Sequence, residues 1–214
     1  MPAPTLQRVD ATAEGRPALV WRFVDPVLTL ATAVLGGGLG RRSWIVNAEV
    51  MAHYEHHCPA EHAAELAAGL GLPAGEGVVF LTAASVLDVA SCHDGGATCD
   101  ATVGVSVPTW AADADGARSA WQPGTINLVC WVPAPMSDAA LANLLVTVTE
   151  AKTQALLEAG VRGTGTASDA VAVCCPPGGD EPYGGPRSHW GSRLARAAHA
   201  SVRAGLERFE ATNL

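Results

Sequence analysis

The chain has 214 residues, 49% of them hydrophobic and 16% charged, and a formal net charge of −8. That length supports one substantial core, and the composition belongs to a globular chain rather than a disordered one. The acidic balance argues against a nucleic-acid partner, because neutralising phosphates needs a basic face; it leaves room for a small cationic ligand.

Residues 1–16, opening "MPAPTLQRVDATAEG", read as a flexible segment. They lack the basic start and apolar run of a secretory signal. No stretch reaches the ~18 uninterrupted apolar residues of a membrane span. The expectation is a soluble, cytoplasmic protein with no membrane partner.

"ALVWRFVD" (18–25), "LTLATAVL" (28–35) and "SWIVNAEV" (43–50) read as strands, with a glycine run at 36–38 between the last two. "PAEHAAELAAGL" (59–70) reads as a helix with Pro59 in its first turn and glycines at its end. "GVVFLTAAS" (77–85) is a buried strand. Residues 86–106 form a hairpin that turns at "HDGG". A loop over 107–124 carries Trp110 and Trp121. "TINLVCWV" (125–132) is a strand, Ser137 caps a helix over 138–159, "DAVAVCCP" (169–176) is a strand, and 188–209 is the last helix. Hairpins come first and helices alternate later. The fold class is therefore α+β: a single domain over 17–214, with a mixed, mostly antiparallel sheet and about three main helices packed on it.

Six cysteines show no CxxC pair, and Cys130, Cys174 and Cys175 lie in apolar runs, where cysteine behaves as a small buried hydrophobe. No disulfide framework is expected.

Lys152 is the single lysine among 13 basic residues. Leu141, Leu144, Leu145, Val148, Ala151 and Ala155 recur at helical spacing, and Lys152 falls at the edge of that stripe. Glu150 falls on a separate polar stripe with Asn143, Thr147 and Gln154, so the two do not form an i,i+4 pair. Lys152 reads as a compact cation facing a partly enclosed site, or else as a stem packed on the core with its head in water. The Gly/Thr loop "GTGTASDA" (163–170) follows; its N–H groups can converge on an anion or oxyanion. No Walker or dinucleotide-binding glycine pattern is present.

"HYEHHCPAEH" places histidines at 53, 56, 57 and 62. His53 and His57 are four apart, as zinc ligands on one helical face often are, but no HExxH and no cysteine pair completes a set. The stretch reads as a solvated segment ahead of a helix, and no metal or organic cofactor is assigned.

The order of motifs carries further information. "LATAVLGGGL", "WIVNAEV" with Asn47, "FLTAASV" with Thr82, "DATVGVSVPT", "GTINLVCWVPAPMSDAAL", "TEAKTQALLEAGV", "GTGTASDAVAV" and "YGGPRSHWGSRLARA" run from about 22 to 205. In this order and spacing the chain resembles the adenosylcobinamide amidohydrolases of corrinoid salvage. It departs from that family at "VPTW" and its continuation, and at "GPRSHWG", both taken as places that grip a large substrate. The resemblance implies a corrinoid substrate whose aminopropanol amide is cut, giving adenosylcobyric acid and aminopropanol. It leaves homo-oligomerisation open.

Amide hydrolysis needs an activated nucleophile, a stabilised oxyanion and a protonated leaving amine. With that reaction implied, Glu150 or Asp169 is the candidate general base, and Lys152 the oxyanion stabiliser or acid, helped by N–H groups of 163–166. Asn47, Thr82 and Asn127 are candidate substrate contacts, and Trp110 and Trp121 candidate covers for the macrocycle. Thr125, Thr164 and Thr166 are further substrate contacts or alternative nucleophiles with Lys152 as base. No Ser-His-Asp pattern or nucleophile elbow is visible, which favours direct attack by water. Lys152→Met and Glu150→Gln are each expected to lower turnover at least about 100-fold. Two other functions remain at this point: a non-catalytic corrinoid carrier or sensor, and a metallohydrolase built on the histidines at 53–62.

Overall fold

The computed structural model describes residues 1–52, 54–113 and 124–212. Strands β1 (Thr5–Val9), β2 (Ala18–Ala31) and β3 (Gly38–Glu49) are followed by helix α1 (Pro59–Gly69) and strand β4 (Gly77–Thr82). A hairpin of β5 (Ala90–Asp94) and β6 (Ala97–Gly104) comes next. The chain continues through β7 (Thr125–Trp131), α2 (Asp138–Glu158), β8 (Ala170–Cys175) and α3 (His189–Thr212). The eight strands form one sheet in the order β4-β3-β2-β8-β7-β6-β5, with β1 added to β2. Only β3–β4 and β7–β8 are parallel, so the sheet is mixed and mostly antiparallel, as expected.

Each parallel pair is joined by a helix, because parallel strands need a long crossover. α1 links β3 to β4 and packs Ala63, Leu66 and Ala67 on Val20, Trp44, Val46 and Val79. α2 links β7 to β8, and with α3 it covers one face of β6–β8. Leu141, Leu144 and Val148 of α2 and Leu194, Ala198 and Val202 of α3 meet Cys99, Ala101, Ile126, Leu128 and Val173 there. Ser137 caps α2 by accepting the Ala140 N–H at 3.2 Å, a contact worth about 1 kcal/mol. Cys130, Cys174 and Cys175 are fully buried, as their apolar context implies.

β2 is one 14-residue strand where the sequence suggests two shorter ones. Its register shifts between Arg22 and Val27. Pro26 lies there, with no N–H to give to a ladder. The first half pairs with β1 and the second with β8, so one edge of β2 serves two neighbours. Residues 1–16, expected to be flexible, thus include a paired strand. Among the described residues no helix is long and apolar enough to cross a membrane.

Residues distant in strand order share a second cluster: Trp21, Ile45, Phe80, Val129, Trp131 and Ala172. The sheet therefore curls, and its two wings enclose this cluster. Polar bonds lace the wings together: Trp21 Nε1 donates to Asp100 at 2.6 Å, and Asn47 Nδ2 donates to Thr102 Oγ1 at 2.9 Å. At one end of the enclosed space the wings leave a cavity.

Candidate active site

Lys152 sits on α2 beside the buried stripe and is 6% exposed. Its Nζ donates to Asp169 Oδ2. Asp169 closes the Gly/Thr turn one residue ahead of β8, so the crossover that pairs β7 with β8 also brings helix and turn together. Of the two readings of Lys152, an enclosed cation or a stem with its head in water, the geometry is that of the enclosed cation. Three further groups hold the carboxylate. Oδ1 accepts the Ile126 N–H at 2.9 Å and the Thr166 hydroxyl at 2.5 Å, and Oδ2 accepts the Thr166 N–H at 3.1 Å. A carboxylate offers about four lone-pair sites, and all of them are taken.

Gly165 makes this packing feasible. A Cβ there would lie 2.6 Å from Lys152 Nζ and collide with Asp169 Oδ2, so only glycine lets the backbone lie against the ion pair. The turn is tied outward as well. Thr164 N–H donates to Thr109 O and Thr109 N–H to Gly165 O, each at 2.8 Å. Thr164 Oγ1 accepts the Ala111 N–H at 2.9 Å. The N–H groups of Thr164 and Thr166, expected to converge on an anion, are thus already committed, the first to Thr109 O and the second to Asp169.

The cavity has a volume of about 360 Å³. Thr32 and Val34 follow β2, Phe80 and Thr82 end β4, and Thr125, Ser168, Asp169 and Ala170 lie where β7 and β8 begin. Thr125 Oγ1 and Ser168 Oγ are 2.8 Å apart, and Ser168 Oγ is 3.1 Å from Gly124 O. Tyr54 borders the same space, and burial, with the Glu14 carboxylate and Cys58 adding to it, pushes its phenol up from the ordinary value.

Asp169, Thr82 and Thr125 therefore share the cavity wall, with Lys152 directly behind Asp169 rather than on the wall. Thr164 and Thr166 support the turn. The remaining candidates are elsewhere. Glu150 is exposed beside Thr149 and Gln154 on the solvent face of α2, where helical spacing turns it away from Lys152. Asn47 and Asn127 are buried between the wings, and Asn127 Nδ2 donates to Asn47 Oδ1 at 2.9 Å. Neither lines the cavity; they lace the sheet. Trp110 is 45% exposed on its loop. Trp121 and His53 lie outside the described residues. Residues 54–58 are not helical, so His57 lies on no helical face.

The "GPRSHWG" segment, expected to grip substrate, leads into α3, where Ser188 Oγ accepts the Gly191 N–H at 3.0 Å. Sequence reasoning missed Ser168, Thr32 and Tyr54 as cavity residues. Ser168 sits in the same turn as Asp169, which is a usable signal; nothing in the sequence marks the other two.

Residues 3–213 match the family model described as adenosylcobinamide amidohydrolase. The chain belongs to that family. It is 36% identical over 155 residues to an adenosylcobinamide amidohydrolase of Halobacterium salinarum, a match covering 69% of this chain and 66% of the relative. It is 31% identical over 183 residues to an adenosylcobinamide amidohydrolase of Methanosarcina mazei, covering 81% of this chain and 87% of the relative. Family membership fixes the reaction type as cleavage of an amide by water. It gives the Asp169 wall a chemical task to be tested.

Proposed function

We propose that the chain hydrolyses the amide joining the aminopropanol arm of adenosylcobinamide to a propionate of the corrin ring, releasing adenosylcobyric acid and aminopropanol for corrinoid salvage. The observation that carries this reading is a carboxylate on the cavity wall, backed by a buried ammonium, in a member of this family. The cavity volume, about 360 Å³, is at the low end of the about 300–1,000 Å³ that hold drug-sized ligands, so it takes a side arm and leaves the much larger macrocycle outside. The arm enters, and the ring stays against the mouth.

Asp169 acts as the base towards water. With its lone pairs filled it must first release one, and Thr166 provides the means: its hydroxyl also lies 2.7 Å from Gly124 O. Turning that proton to Gly124 frees Oδ1 to accept from a water molecule. The water proton passes to Asp169 while its oxygen bonds to the amide carbon. With Ser168 donating to Thr125 Oγ1, the Thr125 proton is free for the developing oxyanion. The C–N bond then breaks as Asp169 returns the proton to the amine nitrogen. Lys152 acts through Asp169, holding it in place. Glu150, facing solvent, takes no part.

Incubation of purified protein with adenosylcobinamide tests the reading. Release of aminopropanol with adenosylcobyric acid is expected. Tight corrinoid binding without either product would overturn it in favour of a carrier.

A further inference from the structure

We propose that Glu14, His56 and His62 bind one divalent transition-metal ion of the zinc class, at the junction of the N-terminal loop and α1. One donor atom from each residue lies within 4.8 Å of the others. Two imidazoles and a carboxylate match the ligand chemistry of zinc, whereas calcium and magnesium take oxygen ligands.

His62 is the fixed point. It projects from α1, is 3% exposed, and both its ring nitrogens have partners. Nδ1 lies 2.9 Å from the Tyr54 hydroxyl and Nε2 lies 2.5 Å from Glu14 Oε1. With Nδ1–H donating to the Tyr54 oxygen, Nε2 directs its lone pair towards Glu14. Metal-ligating histidines are held in this way, one nitrogen oriented by an outer partner and the other on the ion. The ion would sit between Nε2 and the carboxylate.

The other two ligands can close on it. The His56 ring stacks on His62 with centroids 4.0 Å apart and planes 5° apart. Metal–ligand bonds of ~2.0–2.1 Å in a tetrahedral site put donors roughly 3.4 Å apart. Rotation of the His56 and Glu14 side chains, both exposed, moves Glu14 Oε1 back from its 2.5 Å contact with His62 Nε2 and brings His56 in. The backbone carrying Glu14 is already formed, with Thr12 N–H bonded to Arg16 O at 2.7 Å and Gly15 N–H to Thr12 O at 2.9 Å. Three protein ligands leave a fourth position to water. Because Tyr54 also borders the cavity, the ion stiffens one cavity wall. This inference does not depend on the reaction proposed above.

Tag-free full-length protein, stripped with chelator, is titrated with Co²⁺ and Zn²⁺. Uptake is followed by the visible absorption of tetrahedral Co²⁺, by metal analysis after dialysis, and by melting temperature. One metal per chain is expected, with zinc raising the melting temperature. His56→Ala and Glu14→Gln, both at exposed positions, should each weaken binding at least about 10-fold while melting like wild type in chelator. Cys58→Ser, which removes a nearby exposed thiol, should bind as wild type does. Failure of the wild type to retain stoichiometric metal overturns the proposal. So does undiminished affinity in His56→Ala, or loss of binding in Cys58→Ser.

Discussion

Replacing Lys152 by Met keeps most of the stem and deletes the charge that faces Asp169. The two side chains are 7% and 11% exposed, so solvent screens the pair little. Removing one partner of a buried pair costs about 3–5 kcal/mol. Asp169 keeps the Ile126 and Thr166 donors, which places the expected loss near the lower end, about 3 kcal/mol. For a chain of this size about 1 kcal/mol corresponds to ~2–4 °C in melting temperature, so Lys152→Met should melt roughly 6–12 °C lower. Turnover of adenosylcobinamide, measured well below that melting point, should fall at least about 100-fold. Adding Asp169→Asn removes the stranded charge. The double variant should therefore be more stable than the sum of the two single losses by about 1–3 kcal/mol. A Lys152→Met protein that melts with the wild type and hydrolyses substrate at the normal rate would refute both the structural and the catalytic role of the pair.

Other substitutions probe other parts of the site. Glu150→Gln should leave stability within about 0.5 kcal/mol, as surface changes usually do, and turnover within about threefold; a large loss in the same assay would put Glu150 back in the mechanism. Gly165→Ala should cost about 1–3 kcal/mol by overpacking and lower kcat, because the new methyl displaces Lys152 or Asp169; unchanged kcat and melting would show that the turn yields freely. Asn47→Ala should lower stability by about 1–3 kcal/mol, since the Asn127 amide loses its acceptor, with KM unchanged; a selective rise in KM would instead make Asn47 a substrate contact. Burial pushes the Cys174 thiol up to about 12 from an ordinary value near 9. The folded state thus disfavours the thiolate, so the contribution is intact below about pH 9 and fades as pH rises towards 12. Urea unfolding at pH 10.5 should show about 2 kcal/mol less stability from this residue than at pH 8, at ~1.36 kcal/mol per unit; Cys174→Ala should remove that part, and an identical pH dependence in the variant would contradict it.

Much of the fold was legible because apolar period and chain punctuation agree. α2 starts at the Ser137 cap and ends before Gly160, and the β5–β6 hairpin turns at Gly95 and Gly96. The curl was not legible, because it depends on which strands pair. Hence Asn47 and Asn127, polar residues in strands, look like substrate contacts when read along the chain, yet face each other across the wings. The site was half legible. A lone lysine at the edge of an apolar stripe and an aspartate after a Gly/Thr turn stand out separately in the sequence, and the fold joins them as a buried pair. That Asp169 screens Lys152 from the cavity is set by the height at which α2 packs on β8, which periodicity does not encode. Glu150 follows the same rule in reverse: two positions along a helix turn a side chain through about 200°, to nearly the opposite face, so only one of the two can face the turn.

One practical corollary comes from the sealed ammonium. Succinimidyl esters and other amine-directed reagents find a single side-chain amine in the whole sequence, and in the folded protein it is enclosed. Under native conditions such chemistry should modify the α-amino group alone, so a fluorophore can be attached at one defined point without altering the cavity. Labelling at Lys152 would then report opening of the domain.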